Sequence, residues 1–195
     1  MTANVFHART AAYDLFEELE ISQFPVSPLG ICDYFGIKYD TFSGAPKKMF
    51  QHSFDIIRTQ KIEAMSYVHN GDIIILFDDY GLLTRRRFTI AHEIGHIILK
   101  HHLFPPDDAV HYFPSQDYKE VEANNFAGEL LRPAALIRKF NLTDTETIMH
   151  TFFVSRECAA VGLSIANKMN LDMCLDQYPF FNYCSFFRND TSYVS

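Results

Sequence analysis

The stretch "RRRFTIAHEIGHIILKHH", Arg85 to His102, decides how this chain is read. It holds four of the nine histidines in a run that, after the three arginines, is otherwise apolar except for Thr89, Glu93 and Lys100. His92, Glu93 and His96 form H-E-x-x-H. Four residues advance a helix by about 400°, so the two imidazoles stand roughly 40° apart, one turn above the other, and can chelate one zinc ion at about 2.1 Å. Glu93, about 100° further round, is placed to reach a water beside that metal as general base. A helix apolar nearly all round is a buried one, and buried imidazoles and carboxylates need partners. Core histidines satisfied by carbonyls would have to explain three such groups separately.

A hydrolytic zinc site takes a third protein ligand and keeps a position open. In the pattern H-E-x-x-H-x-x-G-x-x-H the third ligand would be His102, but the glycine that turns the chain is Leu99 here. A helix running on would carry His102 about 240° round from His96, away from the metal. His101 and His102 therefore read as helix-end residues, favourable near the negative pole of the dipole. The alternative is a carboxylate from "YKEVEANNFAGELLRP". Glu120 shares a small face with Ala123, Asn124 and Ala127, which lets its helix approach the histidine helix where Gly95 clears the same side. Glu122 shares its face with Phe126, Glu129 and Leu130, which would hold the helices apart. Glu120 is the ligand this reading selects, with Glu122 in reserve; Asp117 and Glu120 as a capping pair is the structural alternative. Asn124, one turn beyond Glu120, can hydrogen-bond a ligand histidine from behind.

The rest of the chain is compatible with such a site. Its 195 residues fit a single domain, 48% hydrophobic and 21% charged, with 19 Phe and 10 Tyr pointing to an aromatic core. A net charge of −7 argues against a nucleic-acid-binding surface. Cys32, Cys158, Cys174 and Cys184 make no CxxC pair. With no signal-peptide pattern and no long apolar window, the expectation is a cytoplasmic protein with reduced thiols and no membrane span.

Periodicity predicts a helix over Arg9 to Leu19, a short one over Leu29 to Phe35 stopped by Gly36, and a hairpin about Asn70-Gly71 with Asp72 to Phe77 as a buried strand. Helices follow from Thr84 to about Lys100, Asp117 to Leu131, Ala134 to Phe140, Thr143 to Phe153 and Ser155 to Met169. The segment from Ala45 to Lys61 has no clear pattern, and the tail from Cys174 reads as aromatic and irregular. The fold class is α+β, mostly helical with a small antiparallel sheet. Within one domain spanning 1–195, a catalytic core occupies 21–133 and a mainly helical region 134–195.

The sequence resembles the ImmA/IrrE family of metallo-endopeptidases, on "RRRFTIAHEIGHIILKH" and "EVEANNFAGELLRP", with weaker echoes in "FPVSPLGICDYFGIKY" and "FFVSRECAAVGLSIANKM". The resemblance implies a zincin-like core with His92, His96 and Glu120 on Zn2+ and Glu93 in catalysis. It also implies a bacterial protein, often encoded on a mobile element or beside a helix-turn-helix regulator, that cleaves or inactivates a repressor. The chain departs from the family pattern at Gly128, Arg132, Cys158 and Gly162, none of them a proposed ligand.

Two other readings compete. "DTETIMHTFFVSRECAAVGLSIANKM" resembles a helix-turn-helix superficially, but its second helix offers only Arg156 and Lys168 to phosphates, against Glu157. A non-hydrolytic zinc protein that contacts DNA or a regulator through these helices is the other, and it leaves Glu93 without a use. Arg85, Arg86 and Arg87 point about 100° apart on a helix and form no flat patch; one is expected to pair with an acid such as Asp78 or Asp79 and the others to be solvated. His111, Tyr112 and Tyr118 are candidates for steadying an oxyanion.

Overall fold

Asn70 and Gly71, at φ 51° and 85°, turn the chain between β3 (Ala64–His69) and β4 (Asp72–Phe77). Both central residues are left-handed, the conformation for which an Asn-Gly pair is suited. The register runs from His69 opposite Asp72 to Ala64 opposite Phe77. On its other side β4 pairs in parallel with β2 (Lys38–Thr41), giving the order β2-β4-β3. The sheet is thus mixed rather than wholly antiparallel. Parallel neighbours need a long connection, and the chain between Thr41 and Asp72 supplies it. β4 is consequently the central strand, and β3 is an edge of the sheet among the described residues.

The structure is a computed structural model that describes residues 2–45, 62–101 and 117–186. Almost all of the segment without a clear pattern lies outside those residues, as do His102, His111 and Tyr112. The helices are α1 (Val5–Glu18), α2 (Pro28–Phe35), α3 (Leu83–Ile98), α4 (Asp117–Leu131), α5 (Ala134–Lys139), α6 (Thr145–Phe152), α7 (Arg156–Ala166) and α8 (Leu171–Gln177). No described helix is long and apolar enough to cross a membrane. The chain clusters into two units, Met1–Ala8 with Ser27–Ala127 and Arg9–Val26 with Gly128–Ser195.

In the first unit α3 packs against α2, β3 and β4. Ile90, Ala91 and Ile94 are its buried apolar residues, and Ile75, Leu76 and Phe77 those of β4. Ser27 caps α2 by accepting from the Gly30 amide, Pro28 opens the helix, and Gly36 closes it at φ 65°. The arginine triplet at the head of α3 is held more closely than its sequence suggests. Arg85 Nε donates to Glu63 at 2.6 Å rather than to Asp78 or Asp79. Arg86 donates to the Asp79 carbonyl at 2.5 Å and lies over the Phe77 ring. Arg87 is not solvated either: burial pulls its guanidinium down to about 10.

In the second unit the core is aromatic. Tyr13 meets Phe181 edge-on at 4.8 Å between centroids, Phe16 meets Phe24 at 5.4 Å, and Phe24 meets Phe152 at 6.1 Å. The tail is more regular than its composition suggests. α8 covers its start, a 3-10 turn spans Pro179–Tyr183, and β5 (Ser185–Phe186) pairs in parallel with β1 (Gln23–Phe24). Fully buried Phe181 anchors it, so apolar burial rather than periodicity orders this stretch. The four departures from the family pattern also meet in this unit. Arg132 is buried, and its Nε donates to the Cys158 carbonyl at 2.9 Å. A Cβ on Gly162 would stand 2.5 Å from Arg132 Cδ, and one on Gly128 2.6 Å from its Nη2. The two glycines make the space that the guanidinium fills, and the four residues act as one packing unit.

Candidate metal centre

α3 presents His92 and His96 from successive turns, as four-residue spacing requires. Their Nε2 atoms lie 2.9 Å apart. α4 brings Glu120 opposite them, with Oε2 3.2 Å from His92 Nε2 and Oε1 3.4 Å from His96 Nε2. Among the described residues these three form the group of donors close enough to share one ion, with ligand atoms all within 4.8 Å of one another. Ligands at about 2.1 Å from a tetrahedral centre stand roughly 3.4 Å apart, so the observed spacings suit a single small cation. Two imidazoles and one carboxylate are a borderline-soft donor set of the kind that zinc takes.

The helices approach as the small face of α4 requires. A Cβ on Gly95 would stand 3.3 Å from the backbone of Ala123 and 3.0 Å from Phe126 Cδ1. Phe126 therefore does not hold the helices apart, because the bare glycine accommodates its ring. His92 Nδ1 is 3.0 Å from Asn124 Oδ1, the contact from behind that the sequence predicts. Burial disfavours the His92 cation, but the hydrogen bond and charge of Glu120 outweigh it and raise the imidazole above its ordinary value. The two imidazoles beside it hold the Glu120 carboxyl well below the usual carboxylate range, keeping it ionised at neutral pH.

Glu93 is buried beside this group and is not one of the three. Ser66 Oγ, on β3, donates to Glu93 Oε2 at 2.7 Å. Met65 and Tyr67 pack with Leu76 on the other face of the sheet, so the period-2 alternation of the strand aims Ser66 at α3. Nothing in the local sequence marks Ser66, because its role depends on a helix placed on that face.

His101 corrects the sequence reading. It stands at the helix end, as expected, but is buried there, 8% exposed. Its Nδ1 lies 3.1 Å from His96 Nδ1 and its Nε2 2.9 Å from Glu122 Oε2. Glu122, the reserve ligand, is turned to His101 and to the Asn4 amide, which donates to Oε1 at 2.6 Å. Tyr118 is half-buried on α4.

A zincin-like α+β fold with two helix-borne imidazoles, a carboxylate from a second helix and a separate buried carboxylate beside them has the layout of a metallopeptidase. The family model Peptidase_M78, described as the IrrE N-terminal-like domain, matches residues 46–164. That is more than half of the chain, and the chain belongs to this metallopeptidase family. A comparison with curated proteins returned no match.

Proposed function

We propose that the protein is a zinc-dependent endopeptidase, with His92, His96 and Glu120 holding Zn2+ and Glu93 as the catalytic base. The convergence of three donor atoms on one point, with a fourth, unshared carboxylate alongside, carries this reading. Bound there, zinc would polarise a peptide carbonyl and lower the pKa of water. Glu93 takes the proton from the attacking water and delivers it to the leaving nitrogen. Ser66 holds one carboxylate oxygen, leaving the other to face the reacting atoms. β3, at the sheet edge among the described residues, suits an extended peptide that adds as a further strand.

The proposed substrate is a specific protein, such as a helix-turn-helix transcriptional repressor, and the proposed setting is the cytoplasm of a bacterium. A protein partner is favoured over DNA for the α6–α7 pair, since Arg156, the one arginine of α7, is held by Glu146 at 2.6 Å. The test combines metal content with cleavage of a regulator encoded beside the gene. Wild type is expected to carry about one zinc per chain. Glu120→Gln should lose the metal, whereas Glu93→Gln should keep it and lose about 10³-fold in turnover. A wild type that stays free of zinc after attempted reloading would overturn the reading. Zinc without cleavage of any regulator presented to it would favour the non-hydrolytic zinc protein.

A further inference from the structure

The end of α3 places His101 by a specific reversal. Lys100, at φ 56°, is left-handed, the Lys100 amide donates to Ile97 O at 3.1 Å, and the His101 amide donates to His96 O at 2.9 Å. These two bonds define a Schellman motif, in which the second residue past the cap comes to rest against the residue three before it. Here those residues are His101 and His96, so the motif's usual apolar contact is replaced by a contact between two imidazoles. Lys119 Nζ, from α4, donates to the His101 carbonyl at 2.7 Å and holds the reversal in place.

The hydrogen bonds then have only one consistent direction. The Asn4 amide is a fixed donor and a carboxylate carries no proton, so both Glu122 oxygens accept. His101 Nε2 must donate to Glu122, which leaves Nδ1 of the neutral ring bare. His101 Nδ1 must accept, so His96 Nδ1 carries the proton. His96 Nε2 therefore carries no proton, and it is the atom that faces His92 and Glu120. We infer that His101 and Glu122 are positioning residues, a relay that locks His96 in its metal-binding tautomer. The inference rests on the zinc reading above and deepens it, giving the second acid of "KEVE" a task distinct from ligation.

Glu122→Gln tests the relay with little change of shape. The Asn4 amide retains the one remaining oxygen, so the amino group of the new side chain meets His101 Nε2, which must then accept. The proton moves to His101 Nδ1 and forces His96 into the opposite tautomer. Ring-nitrogen NMR of metal-free protein should show His96 protonated at Nδ1 in wild type and at Nε2 in Glu122→Gln. Competition with a chelator should show zinc held at least about tenfold more weakly in Glu122→Gln and in His101→Phe. Lys100→Gly, which keeps the left-handed turn, should leave affinity unchanged. A wild-type His96 protonated at Nε2, or folded variants that bind zinc as tightly as wild type, would overturn the relay. The wild-type spectrum decides this even where a variant does not fold. It also separates the two ideas, since a chain that takes up no zinc removes the metal reading while the tautomer remains measurable.

Discussion

Glu120, near the start of α4, and Glu129, near its end, both lie among polar groups, but the groups differ in kind. Glu129 Oε1 accepts from Arg9 Nε at 3.2 Å, and Oε2 accepts from the Tyr13 hydroxyl at 2.8 Å and the Ala134 amide at 3.0 Å. That set is closed: a cation, a phenol and a backbone amide satisfy an acid only 1% exposed. Beside this acid, burial raises the Tyr13 hydroxyl well above its ordinary value, so it stays a donor. Glu120 instead faces two imidazole nitrogens, and its side chain is 39% exposed. With His92 and His96 it forms a group that could hold one cation. One helix thus buries an acid for architecture at one end and, on our reading, sets out another for chemistry at the other.

The largest predicted effect tests that difference directly. Glu129→Ala should cost about 3 kcal/mol in urea unfolding, with or without zinc, because it strands the Tyr13 hydroxyl and the Arg9 charge. Glu120→Ala should cost less than about 1 kcal/mol in the metal-free chain and should abolish stabilisation by added zinc. Equal losses in the metal-free proteins would erase the distinction. Next come the two close glycines. Gly162→Ala should cost about 2 kcal/mol, since its Cβ would meet Arg132 and Ile137 inside 3 Å. Gly95→Ala should cost somewhat less but also weaken zinc binding, because the neighbour that has to yield is the backbone of α4. A Gly95→Ala protein with wild-type affinity would show that the helix spacing does not set the site.

Smaller still is the loss of a cap. Ser155 accepts from the Cys158 amide at the start of α7, and Ser155→Ala should cost about 1 kcal/mol by the same unfolding measurement. A different kind of test is the dependence on pH. Burial pushes the Cys32 thiol up to about 12 and those of Cys174 and Cys184 to about 11. A folded-state pKa above the unfolded one means that the unfolded chain loses its protons first. Stability should therefore be level at neutral pH, begin to decline as the pH passes about 8.5, and go on declining up to the folded-state values. A urea midpoint that rises across this window would contradict the burial of these thiols.

Much of this was legible in advance, for local reasons. The hairpin at Asn70-Gly71 and the cap at Gly36 are set by conformations that their own residues favour. The bounds of α4 follow from a run of helix formers between Asp117 and Pro133. What was misread depended on distant partners. Arg85 finds Glu63 rather than the nearer aspartates because β3 starts beside α3. β4 became central because β2 joined it from far along the chain. The tail took its order from Phe181, whose burial no periodicity announces.

At the candidate metal centre the division is sharp. By itself the sequence determined that His92 and His96 share a helix face and that Glu93 does not, since a helix repeats every 3.6 residues whatever surrounds it. It also narrowed the third group to two acids on one helix. Only the tertiary structure decided between them. Glu120 turns toward the imidazoles because Gly95 and Ala123 let the backbones touch, and Glu122 is drawn away by the Asn4 amide and His101. The place of His101 was illegible because a non-glycine residue, Lys100, adopts the left-handed turn. That choice is made by hydrogen bonds across space, and no rule of local propensity contains them.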